Sequence, residues 1–470
     1  MRSWSPERIA QESGARLLSG PPSGAGPERA TIDSRQAGPG VLFVGLNGVN
    51  VDGGTFAPQA LAAGAWGILA KPEHAEAARC AQLDDSGAAR ESEAGGRAGR
   101  QSQGALLAAE DPLRALQRLA TAWRRELGAK VIGVTGSTGK TSTKDIMLAL
   151  LAPHRRTVAS RANFNTEIGL PLEILDAPAG TEVLVLEMGM RGAGQIAELA
   201  AIAEPDVAVI VSVGPVHLEL LGTIEAVAAA KAELIAALHP GGTAVVPAGE
   251  QLLVPHLRDD LDTITFGAGG DVQLRTADRE RLLIDVRGDS VELEVPFAQP
   301  HLRTNLLAAV AAARAVDVNP GGRVELALSP GRGQRVSLAD GVTLIDDCYN
   351  ANPISMRAAL DDLVATTGAR PSARRLAVLG DMLELGPDER QFHEQLGEHA
   401  QAVGLDVLVT VGPLAAAIAD RFDGESYPLA DAGEAAALVP ELLEPEDVVL
   451  VKGSRGVGLE LVCQALGGRE

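Results

Sequence analysis

The chain has 470 residues, too many for one ordinary domain of roughly 100–200 residues, so about three are expected and a binding peptide or lone module is excluded. Lysine and arginine number 41 against 62 aspartates and glutamates, and the net charge of −21 opposes a general grip on nucleic acid or an anionic membrane, so any phosphate site must be local. Hydrophobic residues make up 46% and aromatics only 3%, which is enough for large cores built from Ala, Val and Leu.

The start, MRSWSPERIAQESG, has no basic segment leading into an apolar run, and nowhere do 18 uninterrupted apolar residues occur. Neither a signal peptide nor a membrane span is expected. Cys80, Cys348 and Cys463 are odd in number, far apart and lack zinc spacing, which fits a reducing, cytoplasmic setting. Most of the chain alternates a short Val/Ile/Leu run, a glycine turn and an amphipathic helical stretch, the pattern of α/β proteins with helix-covered parallel sheets. Residues 82–105 break it: Leu83 is their one large apolar residue, and a flexible loop is expected. Asp111-Pro112 then reads as a helix start, with Leu113, Leu116, Leu119 and Trp123 on one face. The runs KVIGV, VLVLEMG and VAVIVSVG follow as buried strands, and a Pro-Gly-Gly break comes after Val316. Beyond it TLIDD, LAVLG, VLVTVG and VVLVKG alternate with helices. The expected domains are 1–110, 111–318 and 319–470.

The strongest chemical signal is VIGVTGSTGKTSTK, where an apolar strand runs into Gly136, Ser137, Thr138, Gly139, Lys140, Thr141 and Ser142 and then a helix. Glycines let backbone N–H groups converge on phosphate oxygens, Lys140 reaches the outer phosphates, and the Thr141 hydroxyl suits Mg²⁺. The position where such loops usually carry their first glycine is Val134, and Gly136 supplies the turn instead. Glu187 ends the next strand, where ligands gather in open α/β sheets, and His217 follows the one after. Lys231 lies within an apolar helical stripe of Ile224, Val227, Leu234, Ile235 and Leu238. A buried ammonium needs compensation. Either its stem snorkels to a carboxylate such as Glu219 or Glu233, or the amine takes up CO₂ and becomes a carbamate ligand for a second metal. Asp346-Asp347 and the NANP turn have the plain reading of caps and turns, as do LGDMLELG and VKGSRG.

These residues, together with TIDSR, NFNTEIGLPL, PGRGQR and LIDDCYNANP, make the chain resemble the Mur ligases over nearly its whole length. That family consists of ATP-dependent amide-forming enzymes of peptidoglycan synthesis. The resemblance implies a small N-terminal α/β domain, a central P-loop domain with a mostly parallel sheet, and a C-terminal Rossmann-like domain. It implies ATP and two Mg²⁺ sites. Lys140 and its loop would meet the phosphates, with Thr141 and Glu187 on one ion and His217 and carbamylated Lys231 on the other. Asn305 matches the adenine-side residue, Asp347 the ribose carboxylate, and Arg332 the arginine reaching the nucleotide from the C-terminal domain. Ser34, Arg35, Asn163, Asn165 and Thr166 match positions that hold a UDP-muramoyl peptide, and Asn352 is grouped with them.

Within the family, DDCYNANP in place of Asp-Asn-Pro-Arg implies the branch that joins D-alanyl-D-alanine to UDP-N-acetylmuramoyl-tripeptide through an acyl phosphate. A monomer with no nucleic-acid partner and ATP-driven closure of the C-terminal domain are expected. The alternatives are the sibling enzyme adding the third amino acid and, from a different class, a P-loop switch, which would carry an Asn-Lys-x-Asp motif that this chain lacks. Four departures stand out: Leu302 after His301, Thr166 for a second Asn, Gly54 for the His of Asp-Gly-His, and Cys348 for Ser.

Overall fold

The computed structural model describes residues 1, 3–20, 25–92, 104–161, 163–278, 280–368 and 373–467, without the side chains of 83–92. The chain forms two compact units. The first is Met1–Gly133 with His154–Gly189 and Ala197–Asp206; the second is Val134–Pro153, Met190–Ile196 and Val207–Glu470.

In the first unit, β1 (Arg16–Ser19), β2 (Arg29–Thr31), β3 (Val41–Val44), β4 (Gly67–Ala70) and β5 (Ala105–Ala108) form a sheet in the order β1-β5-β4-β3-β2. Only the β1–β5 pair is antiparallel. Strands β3, β4 and β5 are buried at every position, as parallel strands covered on both faces must be. The helix Pro112–Leu127 starts as its sequence indicates: the Asp111 carboxylate accepts from Arg114 N at 3.0 Å and Pro112 occupies the first turn. Leu116, Leu119 and Trp123 are buried, Leu113 partly so, and Trp4 meets Trp123 edge-on with ring centroids 5.5 Å apart. This unit also holds the parallel pair β7 (Thr157–Ala159) and β8 (Val183–Glu187), while β6 (Lys130–Thr135) leads out of it into the second unit.

One expectation fails here. The helix Pro72–Ser92 occupies the first part of the stretch read as a loop, and Ala105 is already in β5. A dearth of large apolar residues says that little is buried, whereas Ala, Arg and Glu still favour helix. The remainder of that stretch, 93–103, lies outside the described residues.

In the second unit, β9 (Val207–Ile210), β10 (Thr243–Pro247) and β11 (Asp262–Phe266) are parallel, followed by β12 (Val272–Asp278), β13 (Arg281–Val286) and β14 (Asp289–Glu294) as an antiparallel meander. Arg287 and Gly288, at φ 51° and 93°, make the two-residue turn between β13 and β14, and both left-handed values suit the twist of a hairpin. The strand β15 (Gly322–Arg323) pairs with β14, so sheet membership carries the central sheet past the boundary expected at 318. The last sheet contains β16 (Gln334–Ser337), β17 (Thr343–Asp346), β18 (Arg375–Gly380), β19 (Val407–Val411), β20 (Glu425–Leu429) and β21 (Val448–Lys452), in the order β16-β17-β21-β18-β19-β20. All its pairs are parallel except β16–β17. Consecutive strands β17 and β18 flank β21, so Asp347, Asp381 and Lys452 stand at neighbouring carboxyl ends, where ligands gather in open α/β sheets. No described helix is long and apolar enough to cross a membrane.

Candidate active site

The phosphate loop is held open by its own backbone. Gly139 precedes the helix Lys140–Leu151 at φ 78°, and a Cβ on it would lie 2.6 Å from Asn305 Oδ1 and 3.0 Å from Val211 Cγ1. Only glycine satisfies both demands. Ser137 N donates to Ser212 O at 3.0 Å, Thr138 N to Ser212 Oγ at 2.9 Å, and Ser137 Oγ to Gly214 O at 3.0 Å. The turn is therefore anchored to the segment after β9 rather than to the position of Val134, which is buried in β6. Lys140 Nζ donates to Gly136 O at 2.8 Å and so curls over the loop. Asn305, 6% exposed, stands against the loop at Gly139.

Beside this loop lies a cluster of nitrogen groups. Thr223 caps the helix Ile224–Ala236, which buries Val227, Leu234 and Ile235 together with Lys231, 1% exposed. Burial, aided by the charge of Lys140, pushes the Lys231 ammonium well below its ordinary range, and no carboxylate among the described residues opposes this. Glu233 accepts from Gly194 N at 2.6 Å, and Lys231, 1% exposed, does not carry its amine out to solvent. His217 opens the short helix Leu218–Leu221 at φ 54°, with Nδ1 2.6 Å from Glu384 Oε2. Burial lowers its pKa; Glu384 opposes this, and the charges of Lys140 and Lys231 add to the lowering. Lys140, His217 and Lys231 are therefore within electrostatic reach of one another.

The C-terminal sheet contributes the other side of the loop. Arg332 Nη2 donates to Thr141 Oγ1 at 3.0 Å, while its guanidinium lies 3.9 Å from the Tyr349 ring centroid. Its Nε is buried with no partner among the described residues. Arg455 approaches the same ring at 5.5 Å. Asp347 Oδ2 pairs with Lys452 Nζ at 2.7 Å, and that 3% exposed lysine also donates to Asn350 O at 2.9 Å. Asn352 forms a capping box with Ser355 at the start of the helix Pro353–Thr367, and its Nδ2 reaches Ser137 O at 3.4 Å. Its place is thus at the phosphate loop. Cys348 and Cys463, far apart in the sequence, meet in the core with Asp346, the two sulfurs and a carboxylate oxygen all within 4.8 Å of one another. The Cys463 thiol is pushed far up by its hydrogen bond to Cys348 and by burial.

The substrate-side residues lie in the first unit. Glu187, 3% exposed, accepts from Asn165 Nδ2 at 2.8 Å, and its N–H donates to Ser160 Oγ at 2.8 Å. Asn163 and Thr166 are exposed on the same loop, and Thr166 Oγ1 accepts from Gly169 N at 3.3 Å. Ser34 and Arg35 form the turn Ser34–Gln36, where the Arg35 guanidinium folds back on Asp33 at 2.8 Å. At Gly54 a Cβ would fall 2.2 Å from His74 Cδ2, because the His74 ring occupies that space and its Nε2 lies 2.8 Å from Asp52 Oδ2. The departure at Gly54 is thus filled by a histidine from another element, and contact with His74 requires the glycine.

Models of the Mur ligase middle domain, the Mur ligase glutamate ligase domain and the Mur ligase family catalytic domain match residues 134–313, 331–455 and 29–95. A UDP-N-acetylmuramoyl-tripeptide–D-alanyl-D-alanine ligase from Synechocystis sp. is 38% identical over 446 residues, covering 92% of this chain and 90% of that protein. The chain belongs to the Mur ligase family. Two solved structures are similar to this Mur ligase. MurF from Acinetobacter baumannii is 27% identical with a TM-score of 0.82, covering 99% of each chain. MurF ligase from Thermotoga maritima in complex with ADP is 29% identical with a TM-score of 0.75, covering 93% of this chain and 96% of that one. Sequence reasoning missed Glu384, Lys452 and His74 in this Mur ligase. The left-handed backbone at Glu384 (φ 64°) has no glycine to announce it, and His74 lies outside every motif that carries the resemblance.

Proposed function

We propose that this Mur ligase joins D-alanyl-D-alanine to UDP-N-acetylmuramoyl-tripeptide, with ATP converted to ADP and phosphate. The observation that carries the proposal is the meeting of Lys140 and Arg332 on a phosphate loop, with His217 and Lys231 within electrostatic reach of Lys140, in a chain 38% identical to an enzyme so named. A carboxylate does not condense with an amine at neutral pH because oxide is its leaving group. The tripeptide carboxylate attacks the γ-phosphorus of ATP in line, ADP departs, and the acyl phosphate forms. The dipeptide amine then attacks the acyl carbon, and the tetrahedral intermediate collapses to amide and phosphate. Lys140 and the loop N–H groups hold the phosphates, while Arg332, poised on Tyr349 with its Nε unpartnered among the described residues, meets the nucleotide. Asn305 and Asp347 face adenine and ribose in this reading; Ser34, Arg35, Asn163, Asn165 and Thr166 hold the UDP substrate.

The donor set fits Mg²⁺. The Thr141 hydroxyl and the His217 imidazole are at hand, and the neutral amine of buried Lys231 is the form that attacks CO₂, releasing a proton and leaving a carbamate oxygen ligand. The resemblance assigns Glu187 to the same chemistry, and its carboxylate is fixed by Asn165. When bound, the cations neutralise charge on the triphosphate. This reading places the reaction in the cytoplasm, where ATP and nucleotide-linked substrate meet.

The test is phosphate release by the purified chain with ATP, Mg²⁺ and UDP-N-acetylmuramoyl-tripeptide. Release with D-alanyl-D-alanine is expected. Release with single amino acids and none with the dipeptide moves the activity to the sibling ligase.

A further inference from the structure

We propose that Glu384 is a positioning residue: it fixes the His217 imidazole with its Nδ1 proton on the carboxylate, so that Nε2 presents its lone pair to the cation. This inference rests on the proposed ligase reading for the identity of the cation, and on geometry for everything else. A carboxylate only accepts hydrogen bonds, so the 2.6 Å contact from Glu384 Oε2 to Nδ1 requires the proton on Nδ1. A neutral ring then has a bare Nε2, which is the form that binds metal, and such outer partners are what orient ligating histidines.

The backbone on both sides is bent to make this contact. His217 (φ 54°) and Glu384 (φ 64°) are left-handed without being glycine, a conformation retained where surrounding structure enforces it. The enforcing structure is visible. Gly386 (φ 74°) lets the loop pass so close that a Cβ there would lie 3.2 Å from Glu219 N. Arg191 Nε lies 3.4 Å from Glu384 Oε1 and steadies the other oxygen. Leu383 N donates to Ser454 Oγ at 3.0 Å, Met382 N to His393 Nε2 at 2.9 Å, and Ser454 N to Asp381 O at 3.0 Å. The motifs LGDMLELG and VKGSRG, to which the ligase reading gives no part, thus become a brace that presents one carboxylate to one imidazole. An incidental surface ion pair has no need of such support.

The experiment compares the full-length protein with Glu384→Ala and Glu384→Gln. The first readout is ¹⁵N-histidine NMR of the ligand-free proteins, the His217 signals being those lost in His217→Gln. Wild type is expected to show the Nδ1–H tautomer, Glu384→Gln to keep it because its amide oxygen still accepts, and Glu384→Ala to lose it. The second readout is the Mg²⁺ concentration giving half-maximal phosphate release, expected to rise by about 10- to 100-fold in Glu384→Ala and by less in Glu384→Gln. An unchanged tautomer in Glu384→Ala, or an unchanged Mg²⁺ dependence, overturns the proposal. If wild type releases no phosphate, the ligase reading fails on its own and the NMR comparison still decides the role of Glu384.

Discussion

In the second unit, four side chains at or around the phosphate loop are buried, Lys231 at 1% exposed, Lys452 at 3%, Thr141 at 4% and Asn305 at 6%, while Lys140, His217 and Arg332 are partly buried and held by hydrogen bonds. In the first unit, three of the five residues matched to the UDP substrate stand in water: Arg35 keeps 86% of its side chain exposed and rests on Asp33, and Asn163 and Thr166 are exposed, while Ser34 and Asn165 are half-buried. The contrast separates two tasks. Charges that must neutralise a transferring phosphoryl group act best when fixed in a low-dielectric setting before reaction, since nothing then has to reorganise. Residues that capture a large, flexible substrate can remain solvated and take their final geometry from it, at an ordering cost met on binding.

Substitution should break this contrast unequally. The largest effect is expected for Lys231→Met, which keeps the buried stem and removes the amine. Turnover should fall by at least about 100-fold, while the melting temperature stays level or rises, because a desolvated amine has been replaced by a hydrophobe. A turnover near that of wild type, measured by phosphate release, excludes a carbamate at this position. Next comes Lys452→Met. It strands Asp347, whose side chain is 21% exposed, beside a buried apolar stem. A loss of about 2–3 kcal/mol in urea unfolding is expected, below the cost for a wholly buried pair, along with a raised KM for ATP. The smallest effect belongs to the solvated side. His74→Ala should raise KM for the UDP substrate roughly fivefold, about 1 kcal/mol for one hydrogen-bonded group, with kcat little changed. Gly54→Ala should match it, because the new Cβ displaces the same ring.

What the sequence revealed follows the range of the interactions. The phosphate loop was legible because strand, glycines, lysine and helix are contiguous, and Lys231 because one cation interrupts a helical stripe. The strands named from their apolar runs are all present. Glu384 with His217, Asp347 with Lys452, and Cys348 with Cys463 were illegible, since each pair joins distant segments and only folding brings them together. The meander of β12 to β14 is hidden for a different reason: its turn needs Arg287 at φ 51°, a left-handed backbone that an arginine does not announce. The helix running to Ser92 was misread because a lack of core-forming residues was equated with a lack of helix.

The thiol inventory has a practical corollary. Cys80 is exposed on the helix Pro72–Ser92, whereas Cys348 and Cys463 are sealed in the core of the last sheet. Under native conditions a maleimide dye will therefore attach at one place, in the first unit, so the unaltered polypeptide can be tagged there with a fluorescent reporter and its UDP substrate titrated by emission, without engineering out any cysteine.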